Sequence, residues 1–334
     1  LRVTDQLKIL VTGGAGFIGS NFVNLTLATR TDVEVTVLDA LTYAGDLNNL
    51  ETSKGRFKFV EGDICDSELV ESLVKDSDVV INFAAETHND LSLVAPDRFI
   101  QTNILGTMSL IKACQKHSVR YHHISTDEVF GDLPLDTLEQ FTNATPYNPS
   151  SPYSASKASS DLLVRAWVRS FGLKATISNC SNNFGPFQNA EKFIPRTVRL
   201  ANAGLKPKIY GQGLNVRDWI HVDDHNRGLW AILDKGQIGQ TYLLGTNNQR
   251  TNLAVVKLVL EYFGLPSDHF EHVEDRAGHD QRYAIDSTVT QSELDWHPQL
   301  GKFEEQLAQV IPYYLNDDVD LSTISHSGHT NLNI

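Results

Sequence analysis

Cysteine is scarce in this chain. Cys65, Cys114 and Cys180 are the three present, and neither their odd count nor their spacing makes a Cys-x-x-Cys pair or a disulfide framework. That argues against a cysteine zinc site and fits a reducing, cytoplasmic setting. Basic residues are outnumbered, 28 against 41 acidic, for a formal charge of −13. Such a balance disfavours a nucleic-acid or acidic-membrane surface, and it leaves any anionic ligand to be held by a few local cations. No apolar run approaches the roughly 20 residues that a bilayer-spanning helix needs. Residues 7–11 are too short and too poorly flanked to read as a signal peptide. The 12 histidines include no H-E-x-x-H pattern, so no metal is expected. Internal repeats and low-complexity tracts are also missing.

What is present is an alternation of strands and helices. With 334 residues, 41% of them apolar, the chain has room for a large α/β domain plus a lobe. Residues 8–12 read as a buried strand, 13–19 as a turn, 17–29 as a helix and 33–38 as a second strand. Further strand-like runs at 57–60, 78–83, 121–125 and 174–179 are separated by helical patterns at 67–75, 97–117 and 153–171. Alternation of this kind predicts a Rossmann-like, doubly wound parallel sheet. We expect an NAD-binding domain over 1–183, with some later segments returning to it. A smaller C-terminal substrate-binding lobe follows over 184–315, with helices near 192–203, 222–234, 252–263 and 303–315, and a polar tail over 316–334.

The turn Gly13-Gly14-Ala15-Gly16-Phe17-Ile18-Gly19 spaces glycines as G-x-x-G-x-x-G between strand and helix. Its backbone can turn tightly and approach a pyrophosphate at the helix N-terminus. Asp39, at the end of the second strand and 20 residues beyond Gly19, supplies a carboxylate for an adenosine ribose diol and would repel a 2′-phosphate, which favours NAD over NADP. Asp63 and Ile64 after the third strand, and Phe83, Ala84 and Ala85 after the fourth, extend this series of strand ends.

Tyr153 and Lys157 are i,i+4 on a helix whose start is marked by Ser151 and Pro152, so they share a face. A phenol beside an ammonium and a positively charged nicotinamide is expected to lose its proton more readily, which makes Tyr153 a candidate base for a sugar hydroxyl. Thr126 lies at a strand end and is placed to steer the same oxygen. Two adjacent carboxyls, Asp127 and Glu128, follow it.

Together the glycine loop, Asp39, S-T-D-E-V-F-G (125–131) and Y-S-A-S-K (153–157) resemble the extended short-chain dehydrogenase/reductase superfamily over about residues 7–315. The longer strings at 41–50, 181–188, 191–195, 213–225 and 275–286 are similar to its dTDP-glucose 4,6-dehydratase family. The resemblance implies a hydro-lyase that oxidises C4 of dTDP-glucose with NAD, eliminates water across C5 and C6, and returns the hydride to C6. In it Asp127 is the acid at the C6 oxygen and Glu128 the base at C5. Leu41, Thr42, Thr102 and Asn183 then join the glycine loop around NAD. Arg217 and Lys192, with Asp275, Arg276 and His279, would hold diphosphate and nucleotide. Thr87, His88, Asn182, Phe193, Tyr210, Asn252 and Tyr283 match substrate positions. A homodimer through a four-helix interface, including 97–117 and 153–171, is also implied.

The same scaffold carries 4-epimerases, decarboxylases and a UDP-glucose 4,6-dehydratase, and a non-catalytic NAD-binding sensor is a further alternative. An acid at position 127 has no obvious employment in an epimerase or decarboxylase. The chain departs from the family at Thr87, Asn89, Leu91, Ala277 and Gln281, where Ser, Val, Arg, Pro and Arg are frequent. The change at Leu91 puts one contact at the pocket edge in doubt, and it leaves open a specialised pathway such as antibiotic deoxysugar synthesis or a shift between dTDP and UDP.

Overall fold

The computed structural model describes residues 6–275, 277–315 and 321. Seven parallel strands form the central sheet: β1 (Leu7–Thr12), β2 (Val33–Asp39), β3 (Lys58–Glu61), β4 (Val79–Asn82), β5 (Arg120–Thr126), β6 (Ala175–Cys180) and, after three short strands, β10 (Thr241–Leu244). Their order is β10-β6-β5-β4-β1-β2-β3. The chain runs outward from β1 to β3, then restarts on the other side at β4, so a crevice opens between β1 and β4 at their carboxyl ends. The inner strands β1 and β4 and the neighbouring β2 are rich in Val, Ile and Leu, as expected where helices cover both faces of a parallel sheet.

On one face, α1 (Phe17–Thr29) packs against α8 (Val222–Lys235), with Phe22 stacked on Trp230 at 5.6 Å. The other face carries α2 (Ser67–Lys75), α5 (Thr107–His117) and α6 (Pro152–Phe171), which enclose Leu10, Val80, Leu110 and Val164. Burying each such aliphatic side chain contributes about 1.5–3 kcal/mol.

The helix expected over 97–117 is interrupted. Following α3 (Asn89–Val94) and α4 (Pro96–Phe99), residues Ile100–Gly106 form a π-helical turn before α5 begins. This wide turn places the Asn103 amide against the backbone N–H and carbonyl of Glu86 (2.8 and 3.1 Å) and the Ser156 hydroxyl (2.8 Å), joining the segment after β4 to α6.

A second body holds β7 (Asn182–Phe184), β8 (Lys208–Tyr210), β9 (Val216–His221), β11 (Gln249–Thr251) and β12 (Glu271–Val273) in a three-stranded and a two-stranded sheet. Helices α7 (Phe193–Asn202), α9 (Asn252–Tyr262) and α11 (Phe303–Val310) close its core around Phe184, Trp219 and Phe303. The short α10 (Thr288–Leu294) packs instead against β10 and α8. Chain segments alternate between the bodies, because α8 and β10 belong to the main sheet although they follow β7. The expected tail at 316–334 lies outside the described residues, apart from Leu321.

Candidate active site

A cavity of about 390 Å³ lies at the carboxyl ends of the strands, between the two bodies. At its floor the glycine loop is set by steric necessity. Gly13 has φ +69°, and a Cβ there would sit 2.5 Å from the Ala84 nitrogen; one on Gly19 would overlap the Gly13 carbonyl. Helix α1 starts at Gly16 with no side chain capping it, and Gly16, Phe17 and Ile18 all face the cavity. An uncapped helix start without side-chain bulk suits a pyrophosphate. These residues therefore fit a dinucleotide such as NAD.

Asp39 is buried, and its two oxygens accept the N–H groups of Ala15 and Leu41, each at 2.9 Å. That ties the glycine loop to the segment after β2, and each carboxylate oxygen retains a lone pair for a ribose diol. Gly13, Gly19, Phe83, Ala85 and Asn183 also line the cavity, whereas Asp39, Leu41, Thr42, Asp63, Ile64, Ala84 and Thr102 stand outside its wall. Asp63 accepts from the Cys65 N–H at 2.8 Å, and the Asn183 amide binds His225 at 2.9 Å and the Ser181 carbonyl at 3.0 Å.

Strand β5 ends at Thr126, whose hydroxyl accepts the Glu128 N–H and contacts Asp127, both at 3.3 Å, so Asp127 and Glu128 open a 3-10 turn at the cavity. Opposite, Ser151 caps α6 in a capping box and Pro152 occupies the first turn, which delivers Tyr153 and Lys157 to the same space. Lys157 donates to the Ile124 carbonyl at 2.7 Å. Behind it, buried Asp161 accepts from Ser125 (2.9 Å), Tyr147 (2.8 Å) and Asn179 (3.1 Å), pinning β5 and β6 to the helix.

Burial pushes the Asp127 carboxyl well above the usual carboxylate range, and the charges of Glu128 and Asp218 push it the same way. Asp218, itself raised to about 6 by burial, accepts the Asn248 N–H at 2.7 Å. For Tyr153 the protein's own groups act in the opposite direction to the ammonium and nicotinamide expected to lower it. Burial first, then Glu128, drives the phenol well above its ordinary value. Lys157, lowered by burial, points one N–H at a backbone carbonyl. The protein's own groups thus favour the protonated form of both Asp127 and Tyr153.

On the substrate side Thr87, His88, Asn182, Lys192, Phe193, Tyr210, Arg217, Asn252, His279 and Tyr283 all line the cavity. The Arg217 guanidinium lies 4.2 Å over the Tyr283 ring and donates to the Asp280 carbonyl at 2.9 Å. Lys192 donates to the Thr87 carbonyl at 2.9 Å. His279 lines the cavity with its ring 2.6 Å from the Asp275 carboxylate, and Asp275 itself stands off the wall. Arg276 lies outside the described residues. Leu91 is buried against Phe99 and Tyr153, so the departure there touches the phenol's apolar packing rather than the cavity edge. Ala277 is exposed, and the Gln281 N–H binds Asp132 at 2.6 Å.

Asn89, Gln188 and Arg196 also reach the wall and were not anticipated. For Arg196 the signal was available, since it stands one helical turn beyond Lys192. His221 and His225 are i,i+4, but the first caps α8 and the second binds Asn183. Among the described residues no group of three or more His, Cys, Asp and Glu is placed to hold a metal ion.

Residues 10–310 match the family described as GDP-mannose 4,6 dehydratase. A dTDP-glucose 4,6-dehydratase of Mycolicibacterium smegmatis is 55% identical over 308 residues, spanning 92% of this chain and 93% of that protein. Among solved structures, DesIV of Streptomyces venezuelae, a dTDP-glucose 4,6-dehydratase with NAD bound, is 41% identical with a TM-score of 0.88, covering 92% of this chain and 97% of its own. A UDP-glucose 4-epimerase of Thermus thermophilus shares the fold at 27% identity and a TM-score of 0.84, covering 93% and 99%.

Proposed function

Since the chain belongs to the GDP-mannose 4,6 dehydratase family, we infer that it acts within it as an NAD-dependent dTDP-glucose 4,6-dehydratase, converting dTDP-glucose to dTDP-4-keto-6-deoxyglucose. The observation that carries this reading is the buried, proton-holding Asp127 beside Glu128, facing the same cavity as Tyr153 and Lys157. An epimerase on the same scaffold would have no use for that acid.

Bound at the glycine loop, NAD would supply a reversible two-electron acceptor for oxidation at C4 and reduction at C6. Tyr153, steered by Thr126 and supported by Lys157, accepts the proton of the C4 hydroxyl. The resulting C4 ketone acidifies C5. Glu128 then takes the C5 proton, and the electron pair of that C–H bond runs through the enolate to expel the C6 oxygen. Asp127 protonates the departing oxygen, so it leaves as water rather than hydroxide. Glu128 returns its proton to C5, and the proton collected by Tyr153 balances the one spent by Asp127.

Arg217 and Lys192 supply positive charge for the diphosphate, with Arg196 a further cation at the wall. We also assign the protein a homodimeric state in the cytoplasm. Exposed Ile100, Leu105, Leu162 and Phe171 along the π-turn and α6 support a helical interface. The three cysteines are free thiols, which suits a reducing compartment, and no helix among the described residues is long and apolar enough to cross a membrane.

The test is incubation with dTDP-glucose and, in parallel, UDP-glucose, reading the alkaline absorbance of the 4-keto sugar. Faster turnover of the dTDP sugar is expected. A persistent blank from protein that retains NAD would favour a sensor, and a product that keeps its C6 hydroxyl would favour an epimerase.

A further inference from the structure

We propose that Asn89 is a positioning residue for the elimination, holding the Glu128 carboxylate in register with the helix that carries Tyr153 and Lys157. The proposal rests on the dehydratase reading and extends it to a residue outside the Tyr, Lys, Thr, Asp and Glu set. Asn89 opens α3 at the cavity wall, where its side-chain N–H donates to Glu128 Oε2 at 2.9 Å. Its other end, Oδ1, accepts the Ser151 hydroxyl at 3.0 Å. Ser151 is the residue that caps α6, two positions before Tyr153. One amide therefore spans the gap between the residue that takes the C5 proton and the start of the helix that takes the C4 proton.

The amide can face only one way. A carboxylate can only accept, so the group Asn89 turns to Glu128 is its NH₂, and the oxygen left over faces the Ser151 hydroxyl. Its backbone is held as well, since its carbonyl accepts the Ser92 hydroxyl at 2.6 Å and His88 caps the helix start.

On the Glu128 side, the backbone is fixed by Thr126 at 3.3 Å and Oε2 by Asn89, so Oε1 is the oxygen that no hydrogen bond occupies among the described residues. A free carboxylate rotates about its last side-chain bond; this one offers a single oxygen in a single direction. In the step it serves, the C5–H bond breaks, the proton passes to Oε1, and the electron pair moves to the C4 carbonyl as an enolate. A carboxylate misplaced by about 1 Å loses on the order of 100-fold in such a transfer.

The test compares wild type with Asn89→Val, which removes the amide, and Asn89→Asp, which keeps its shape and sets a second carboxylate against Glu128. Single-turnover reactions read reduced cofactor for the C4 step, and solvent deuterium at C5 together with the 4-keto-6-deoxy product for elimination. In N89V the C4 step and KM are expected to stay within about twofold, while elimination slows about tenfold or more, so reduced cofactor accumulates. N89D should show the same split more strongly, because two carboxylates at hydrogen-bond distance share a proton and take the base out of action. Aspartate suits a first helical turn, so N89D keeps the question open to measurement even if N89V fails to fold.

Equal slowing of both steps would make Asn89 a structural support of α6 and overturn the proposal, as would elimination at the wild-type rate in N89D. The dehydratase reading is judged separately. It falls if wild type makes no 4-keto-6-deoxy sugar, and the base assignment falls if Glu128→Gln still eliminates.

Discussion

Replacing Asp127 with Asn separates the two halves of the reaction while leaving the shape of the site intact. The side chain is 1% exposed, its Oδ1 meets Thr126 at 3.3 Å, and its Oδ2 is buried without a partner, so an isosteric amide disturbs little packing. What it removes is a deliverable proton. General acids of this kind are worth about 10²- to 10⁴-fold, or about 2.7–5.4 kcal/mol of barrier, and elimination in Asp127→Asn should slow by that much. C4 oxidation has no need of that proton and should persist, visible as reduced cofactor that forms without 4-keto-6-deoxy product. Stability supplies a second, independent readout. Because burial holds the Asp127 carboxyl well above the usual range, wild type keeps its full stability below the unfolded value near pH 4 and loses some as the pH rises from there towards the folded value. An amide carries no such penalty. The variant should therefore melt at a higher temperature than wild type near pH 7, and the advantage should vanish below about pH 4. Product formation within tenfold of wild type, or an unchanged melting difference across that range, would refute the assignment of Asp127 as the proton-holding acid.

Ultraviolet difference titration of wild type against Tyr153→Phe should find the Tyr153 phenol still protonated above about pH 10 in cofactor-free protein, and ionising lower once NAD is loaded. A phenol that ionises at ordinary pH without cofactor would contradict the sign given to Glu128. Gly13→Ala forces φ +69° on an alanine and a Cβ to 2.5 Å from the Ala84 nitrogen. Backbone strain alone costs about 1–2 kcal/mol, so a lower melting temperature and at least about tenfold weaker NAD binding are expected by calorimetry. Asp218→Asn removes one carboxylate that keeps Asp127 protonated. The alkaline limb of the elimination profile should move to lower pH while C4 oxidation holds, and an unmoved limb would count against that coupling.

Much of the central sheet could be read from the chain, because β4 and the last four residues of β1 are buried throughout and appear as short aliphatic runs. Helix α1 matches its expected bounds of 17–29, and Ser151-Pro152 announces α6. What stayed hidden depends on partners distant in sequence. Thr241–Leu244 becomes the seventh strand by pairing with Ile177–Cys180, and nothing in its four residues says which sheet it joins. The π-turn at 100–106 looks helical until Asn103 meets Glu86 and Ser156, 17 and 53 residues away. At the site, the residue types were legible and the balance of effects on the phenol was not. The i,i+4 spacing places Lys157 beside Tyr153, but it cannot reveal that the ammonium donates to the Ile124 carbonyl while burial and the charge of Glu128 act on the phenol.

That balance bears on how one cavity performs two opposed tasks. Elimination needs a carboxyl that keeps its proton near neutral pH, which burial beside the charges of Glu128 and Asp218 provides. Oxidation needs a phenol that gives its proton up, and the charge of Glu128 resists it. Lys157 is itself opposed by burial, which lowers its affinity for a proton more than the neighbouring Asp161 charge restores it. Further positive charge can arrive with the ligands. Burial favours the protonated form of both groups, which suits Asp127 and opposes Tyr153; a cationic ring at the nicotinamide position would act on the phenol first. Burial keeps Asp127 loaded meanwhile, so the acid still holds its proton when the C4 ketone has made C5 ready to lose one.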